Sequence, residues 1–137
     1  MKKYNVNFKG YWLDENKGSI PNSSGVYLVY RCKFNEIVNK VSLIEIIYIG
    51  QAIDLQERIK NHDKRESFLS ICENQEKLCY SIAEIESQDL NIIENALIFA
   101  QQPELNEQYK DNFNYGESAF DLDGACALMK HTNFTIK

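Results

Sequence analysis

Arg58 and His62 stand four residues apart, so on a helix both side chains project from one face. A guanidinium grips phosphate oxygens in a two-pronged geometry. An imidazole accepts or donates a proton near neutral pH. Lys60, Lys64 and Arg65 add positive charge beside them, and Lys60 is the one read as a substrate contact; a plain solvated basic helix carries the same residues. Glu94 adjoins Ile93 early in a later helical stretch. A carboxylate at the edge of an apolar face is paired, capping or metal-bound. As a hard oxygen ligand it suits Mg²⁺, which keeps several of its waters. Tyr27 and Tyr48 lie in two strand-like runs, and Gly50 follows the second tyrosine by two residues. Gly50 reads as a turn residue or as bare backbone that lets a phosphate approach. Asn106 reads as a turn residue or as a hydrogen-bonding contact across the site. The chemistry these types allow together is phosphate binding with acid–base assistance and one divalent cation.

The elements that must position them can be read from pattern. Gly25 to Tyr30 is β-branched and aromatic and predicts a strand. Leu43 to Ile49 is nearly continuous in apolar residues and predicts a central strand. Arg31 to Ser42 is too long for a tight turn, and allows both strands to extend and to turn near Asn35-Glu36. Asp54 with Glu57 three residues on forms a capping box for a helix from Leu55 to Lys64. Phe68, Leu69 and Ile71 suggest a further short helical or irregular piece. Leu78 to Ile85 predicts a third strand, and Asp89 caps a helix from Leu90 to about Gln102 that Pro103 stops. Residues 1–23 read as mixed and polar, broken by Gly10, Gly18 and Pro21, with Tyr11-Trp12-Leu13 packing onto the domain. Asp123 is read as capping a short helix through Met129, and Asn133 to Ile136 as a closing strand. The expected fold class is α+β, with a small three-stranded, mainly antiparallel sheet flanked by helices.

The 137 residues suit a single domain, 1–137, with a core over 24–106 and both extensions packed on it. The apolar fraction of 44% and charged fraction of 26% are those of a soluble globular chain. No stretch has the apolar length to span a bilayer and no apolar segment follows the N-terminus, so a cytoplasmic protein without membrane contact is expected. Cys32, Cys72, Cys79 and Cys126 lack metal-ligand spacing and read as reduced thiols. The net charge of −5 argues against strong non-specific nucleic-acid binding, although a local basic patch on an acidic domain still serves.

In order along the chain, Gly25-Val26-Tyr27, Tyr48-Ile49-Gly50, Arg58-x-x-x-His62, Glu94 and Pro103-Glu104-Leu105-Asn106 resemble the signature of the GIY-YIG nuclease superfamily. That family includes homing endonucleases, restriction enzymes and the incision subunit of bacterial excision repair. The resemblance covers about Ser24 to Asn106. It implies an endonuclease that hydrolyses DNA phosphodiesters with one divalent metal, Mg²⁺ or Mn²⁺. Glu94 would bind the metal and Tyr48 would activate water, with Tyr27 hydrogen-bonded beside it. Arg58 would neutralise charge on the scissile phosphate, and His62 would assist proton transfer by taking the proton from Tyr48. Gly50, Asn106 and Lys60 would contact substrate.

Three features depart from the family pattern. Gln51 stands where many relatives carry lysine, the interval between the two signatures is wide, and no DNA-binding domain is appended. DNA is the expected partner, with a protein partner supplying affinity as a further expectation. A catalytically silent nucleic-acid-binding or assembly module on the same fold is the alternative.

Overall fold

A computed structural model describes residues 1–137. Six strands form one mixed sheet in the order β3-β2-β4-β1-β5-β6, curled into a half-barrel. They are β1 (Lys2–Leu13), β2 (Gly25–Asn35), β3 (Lys40–Ala52), β4 (Glu76–Glu84), β5 (Ser118–Gly124) and β6 (Asn133–Ile136). The helices are few: α1 (Leu55–Lys60), α2 (Arg65–Ser70) and α3 (Leu90–Gln101), with short 3-10 turns at Asp14–Ser19 and Ser87–Asp89.

This corrects the expected small three-stranded sheet flanked by helices. The strands foreseen from Gly25, Leu43 and Leu78 exist, as does the closing strand Asn133–Ile136, but β1 and β5 join them and make one six-stranded sheet. The largest addition is β1. Its first half buries Tyr4, Val6 and Phe8 and exposes the residues between, a period-2 alternation of a half-buried strand. That half pairs in parallel with β5, and its second half pairs antiparallel with β4. The helix expected from Asp123 to Met129 is absent. Ser118, Phe120 and Leu122 point inward from β5, and the strand ends at Gly124, whose φ of +83° suits glycine. α1 ends at Lys60, short of the expected Lys64. Its start is as expected, with the Asp54 carboxylate accepting the Glu57 N–H at 3.1 Å.

β2 is buried on both faces, which explains its continuous apolar run. Val26, Leu28, Tyr30 and Cys32 pack toward α3, whereas Tyr27 and Val29 pack toward α1 and α2 with Leu55, Ile59 and Phe68. β3 forms one edge of the sheet, and at this edge Tyr48 of β3, Lys64 from the segment between α1 and α2, and Glu94 and Ile98 of α3 line a common pocket. No helix is long and apolar enough to cross a membrane.

Candidate active site at the edge of β3

The antiparallel ladder between β2 and β3 sets the site: Gly25 faces Ala52, and Tyr27 faces Gly50. A Cβ on Gly50 would collide with the Cζ and Oη of Tyr27. The bare backbone at 50 therefore admits a tyrosine ring, which replaces the expectation that it receives a phosphate. Tyr27 is 1% exposed. Its ring centroid lies 6.3 Å from that of Tyr48 and 5.6 Å from that of His62, and Tyr48 and His62 are also 5.6 Å apart. Phe68 of α2 closes the cluster against both Tyr48 and His62.

The hydrogen bonds of His62 fix its tautomer. Nδ1 receives the backbone N–H of Lys64 at 3.0 Å. A backbone N–H only donates, so Nδ1 carries the lone pair and Nε2 carries the hydrogen. Nε2–H then donates to the Tyr27 hydroxyl oxygen at 2.6 Å, leaving the phenolic hydrogen of Tyr27 free. Burial, seconded by the charge of Arg58, lowers the His62 pKa to about 4, so the ring is neutral at pH 7. Both nitrogens are committed, one to Tyr27 and one to Lys64. The expected proton transfer from Tyr48 to His62 has no hydrogen bond to follow.

Arg58 lies in α1, whereas His62 falls beyond its end, so the two do not share a helix face as expected; Arg58 donates from Nη1 to Asp63 at 2.7 Å. Its charge reaches Tyr27, Tyr48, His62 and Glu94 alike. Burial raises the pKa of both tyrosines, most strongly Tyr27, and Arg58 opposes the rise. Tyr27 is therefore a fixed neutral hydroxyl. Tyr48 is pushed up by burial and by the Glu94 carboxylate.

Glu94 comes from α3, on the other face of the sheet, and lines with Tyr48 and Lys64 a pocket of about 260 Å³. Burial raises its pKa, and a hydrogen bond from Gln51 pulls the other way. Gln51 Nε2 donates to Glu94 Oε1 at 3.0 Å and to Asn91 Oδ1 at 2.7 Å. Glu94 Oε2 accepts no hydrogen bond from the protein and is not a sealed orphan. No cluster of three His, Cys, Asp or Glu side chains stands ready to cage an ion. One open carboxylate oxygen beside a pocket fits a cation that keeps most of its own waters, as Mg²⁺ does. The residues present fit a metal in that limited sense, with Glu94 as the one protein ligand.

Asn106 and Lys60 differ from expectation in opposite ways. Asn106 is 7% exposed and its amide pairs with β3 at both ends: Oδ1 accepts Ile49 N–H and Nδ2 donates to Ile49 O, both at 2.9 Å. With Leu105 N–H donating to Ile47 O, the segment after α3 caps the free edge of the strand. Asn106 is thus held first of all as a structural clip on β3, with one amide hydrogen and one lone pair left toward the pocket it lines. Lys60 is exposed and free of any ion pair. Gln51 is the residue that sequence reasoning noted only as a missing lysine. Its position, one after the second signature, was the available signal; its partner on α3 was not visible before the fold. No family model, no curated protein and no solved structure matches this chain.

Proposed function

We propose that this chain is a divalent-metal-dependent endonuclease of the GIY-YIG type, hydrolysing phosphodiester bonds in DNA. One observation carries the reading. Tyr27, Tyr48, Arg58, His62 and Glu94, drawn from two strands, a helix and the opposite face of the sheet, meet at one edge of β3. A structural core does not require a guanidinium, an open carboxylate and two tyrosines to converge around a pocket.

The roles follow from the geometry. Glu94 would hold Mg²⁺ or Mn²⁺, which supplies Lewis acidity toward the phosphate and a more acidic water. Gln51 fixes one Glu94 oxygen and so turns the other toward the pocket. Arg58, half-buried and charged, neutralises negative charge growing on the phosphate. Tyr48 lines the pocket with Glu94; it gives up its phenolic hydrogen to solvent, an ionisation that the charge of Arg58 favours against burial and Glu94, and as the tyrosinate takes the hydrogen of the attacking water. His62 donates to Tyr27 and so fixes that buried ring beside Tyr48. His62 and Tyr27 thus form a fixed donor chain rather than a proton sink.

The test is incubation of the purified protein with supercoiled plasmid in Mg²⁺ or Mn²⁺, with a chelator control and Glu94→Ala alongside. Nicking that needs both metal and Glu94 is expected. Binding of DNA without cleavage by the wild type would favour the silent-module reading, for which the net charge of −5 and the Arg58–Asp63 pair speak. Equal cleavage by Glu94→Ala would remove Glu94 from the mechanism.

A further inference from the structure

Three tyrosines are largely exposed: Tyr11, Tyr109 and Tyr115. Two have work inside the fold. The Tyr11 hydroxyl accepts Ala127 N–H at 2.9 Å and its ring meets Tyr30 edge-on at 5.5 Å. The Tyr115 hydroxyl accepts from Asn95 at 3.1 Å and its ring packs on Phe113 at 5.0 Å. Tyr109 makes no side-chain hydrogen bond and packs against no aromatic ring, yet it is held at a φ of +65°. A bulky side chain there is strained, and such strain gathers at sites of function. The loop around it is clipped. Gln102 Nε2 donates to Lys110 O at 2.7 Å, and Lys110 Nζ donates to Pro103 O at 2.8 Å. Tyr109 is thus presented by a braced loop, and the pocket it lines is the one that holds Tyr48 and Glu94.

The chemistry of that pocket selects its occupant. Glu94 and Glu107 outnumber Lys64 in its lining, so apart from a phosphate held on the metal at Glu94 it favours a neutral group. The about 260 Å³ it encloses is room for a flat neutral group, the volume of roughly nine waters. Carboxylates accept from ring N–H and amino groups, and a tyrosine face stacks on a heteroaromatic ring. Of the surrounding cations, Arg58 is paired with Asp63, Arg65 with Asp14 and Lys110 with Pro103 O, which leaves Lys64 and Lys60. With little charge free to neutralise a duplex backbone, affinity must come from contacts that phosphates do not supply.

We infer that Tyr109 is a stacking platform for an unpaired nucleobase beside the scissile phosphate, so that the preferred substrate is single-stranded or locally unpaired nucleic acid. The inference rests on the nuclease reading and specifies its substrate. A paired base cannot leave the stack to meet Tyr109 without a cost that an unpaired base does not bear.

The experiment titrates the full chain, in chelator, into a single-stranded DNA 12-mer carrying 2-aminopurine and into the same strand in a duplex. Stacking quenches the probe. Wild type is expected to quench the single strand and bind the duplex more weakly. Tyr109→Phe keeps the affinity, and Tyr109→Gly loses the quench and about tenfold in affinity. Because glycine relieves the positive φ, Tyr109→Gly should also melt about 2–5 °C higher. A gain in stability with a loss in binding is not what a purely structural tyrosine gives. Unchanged quenching by Tyr109→Gly, or equal quenching of the duplex, overturns the inference while leaving plasmid nicking intact. If wild type binds neither probe and cuts no nucleic acid, the nuclease reading itself falls and takes this inference with it.

Discussion

Two tyrosine-centred polar clusters lie on the same face of the sheet, and they are finished differently. Around Tyr80, three donors converge on one carboxylate oxygen, Asp14 Oδ1. The Tyr80 hydroxyl donates to Asp14, which also accepts Arg65 at 2.8 Å and Lys17 at 3.3 Å. Around Tyr27, the network stops half-made. His62 donates to Tyr27, but the phenolic hydrogen of Tyr27, the Tyr48 hydroxyl and Glu94 Oε2 have no partner in the protein. A closed network stabilises, because each buried polar group meets its complement. An open one leaves its unspent groups for a ligand. The difference separates polar residues that hold the fold from those kept for chemistry.

The largest effect should break this comparison in opposite directions. Glu94→Gln is expected to reduce metal-dependent cleavage by about 10³-fold with the melting temperature unchanged or slightly raised. Asp14→Ala is expected to cost about 1–3 kcal/mol of stability, by leaving Tyr80 and Arg65 without their acceptor, while purified folded protein cleaves normally. Denaturant titration and plasmid nicking on both variants decide it; loss of stability in the Glu94 variant would merge the two clusters into one class.

His62 gives a pH signature next in size. Its pKa in the folded protein, about 4, lies below the ordinary histidine value near 6.5. The folded state therefore binds its proton less readily than the unfolded chain. The associated stability is fully present above about pH 6.5 and is lost as pH falls from there toward 4, to a total of about 3 kcal/mol. Denaturant midpoints at pH 7, 5.5 and 4.5 for wild type and His62→Gln measure it. The variant should lose less stability across that range; parallel curves would return the acid sensitivity to other groups.

Gly50→Ala sharpens the comparison from within the ladder. The new methyl must displace the Tyr27 ring, at a cost of about 1–3 kcal/mol, and cleavage should fall more than stability explains because the Tyr27–His62 bond is pulled out of place. Loss of the His62 Nε2–H signal from its hydrogen-bonded position in the proton NMR spectrum reports the displacement directly. Smallest is Lys60→Ala, one of the few unpaired cations near the cluster. It should weaken DNA binding about twofold at low salt and reduce the slope of log affinity against log salt by about one. An unchanged slope would take Lys60 out of the interface.

What was legible in the sequence divides by the range of the interactions. The apolar runs of β2, β3 and β4 were visible because each is buried enough to read as continuous hydrophobicity. The start of α1 was visible because a cap is a local bond between Asp54 and Glu57. β1 and β5 are hard to read because they are half exposed, and the alternation Tyr4, Val6, Phe8 is short and runs straight into the glycine at 10. With them went the sheet itself, since a parallel pairing between the two ends of the chain leaves no local mark. In the candidate site, the residue types and their order were legible. What they touch was not. That Gly50 makes room for Tyr27, that Asn106 imitates a strand, and that Gln51 holds Glu94 are statements about residues distant in sequence.

The division of β1 between two partners bears on how the protein is made. Its second half can pair as soon as β4 has left the ribosome, but Lys2 to Phe8 must wait for β5, near the opposite end of the chain. At a synthesis rate of about 5–20 residues per second, an apolar, alternating strand edge stays unpartnered for roughly 5–20 s. The stretch of chain holding the candidate site is translated within that interval. A nascent chain of this protein therefore has its chemistry assembled before its sheet can close, and the first few residues are where a chaperone would be needed.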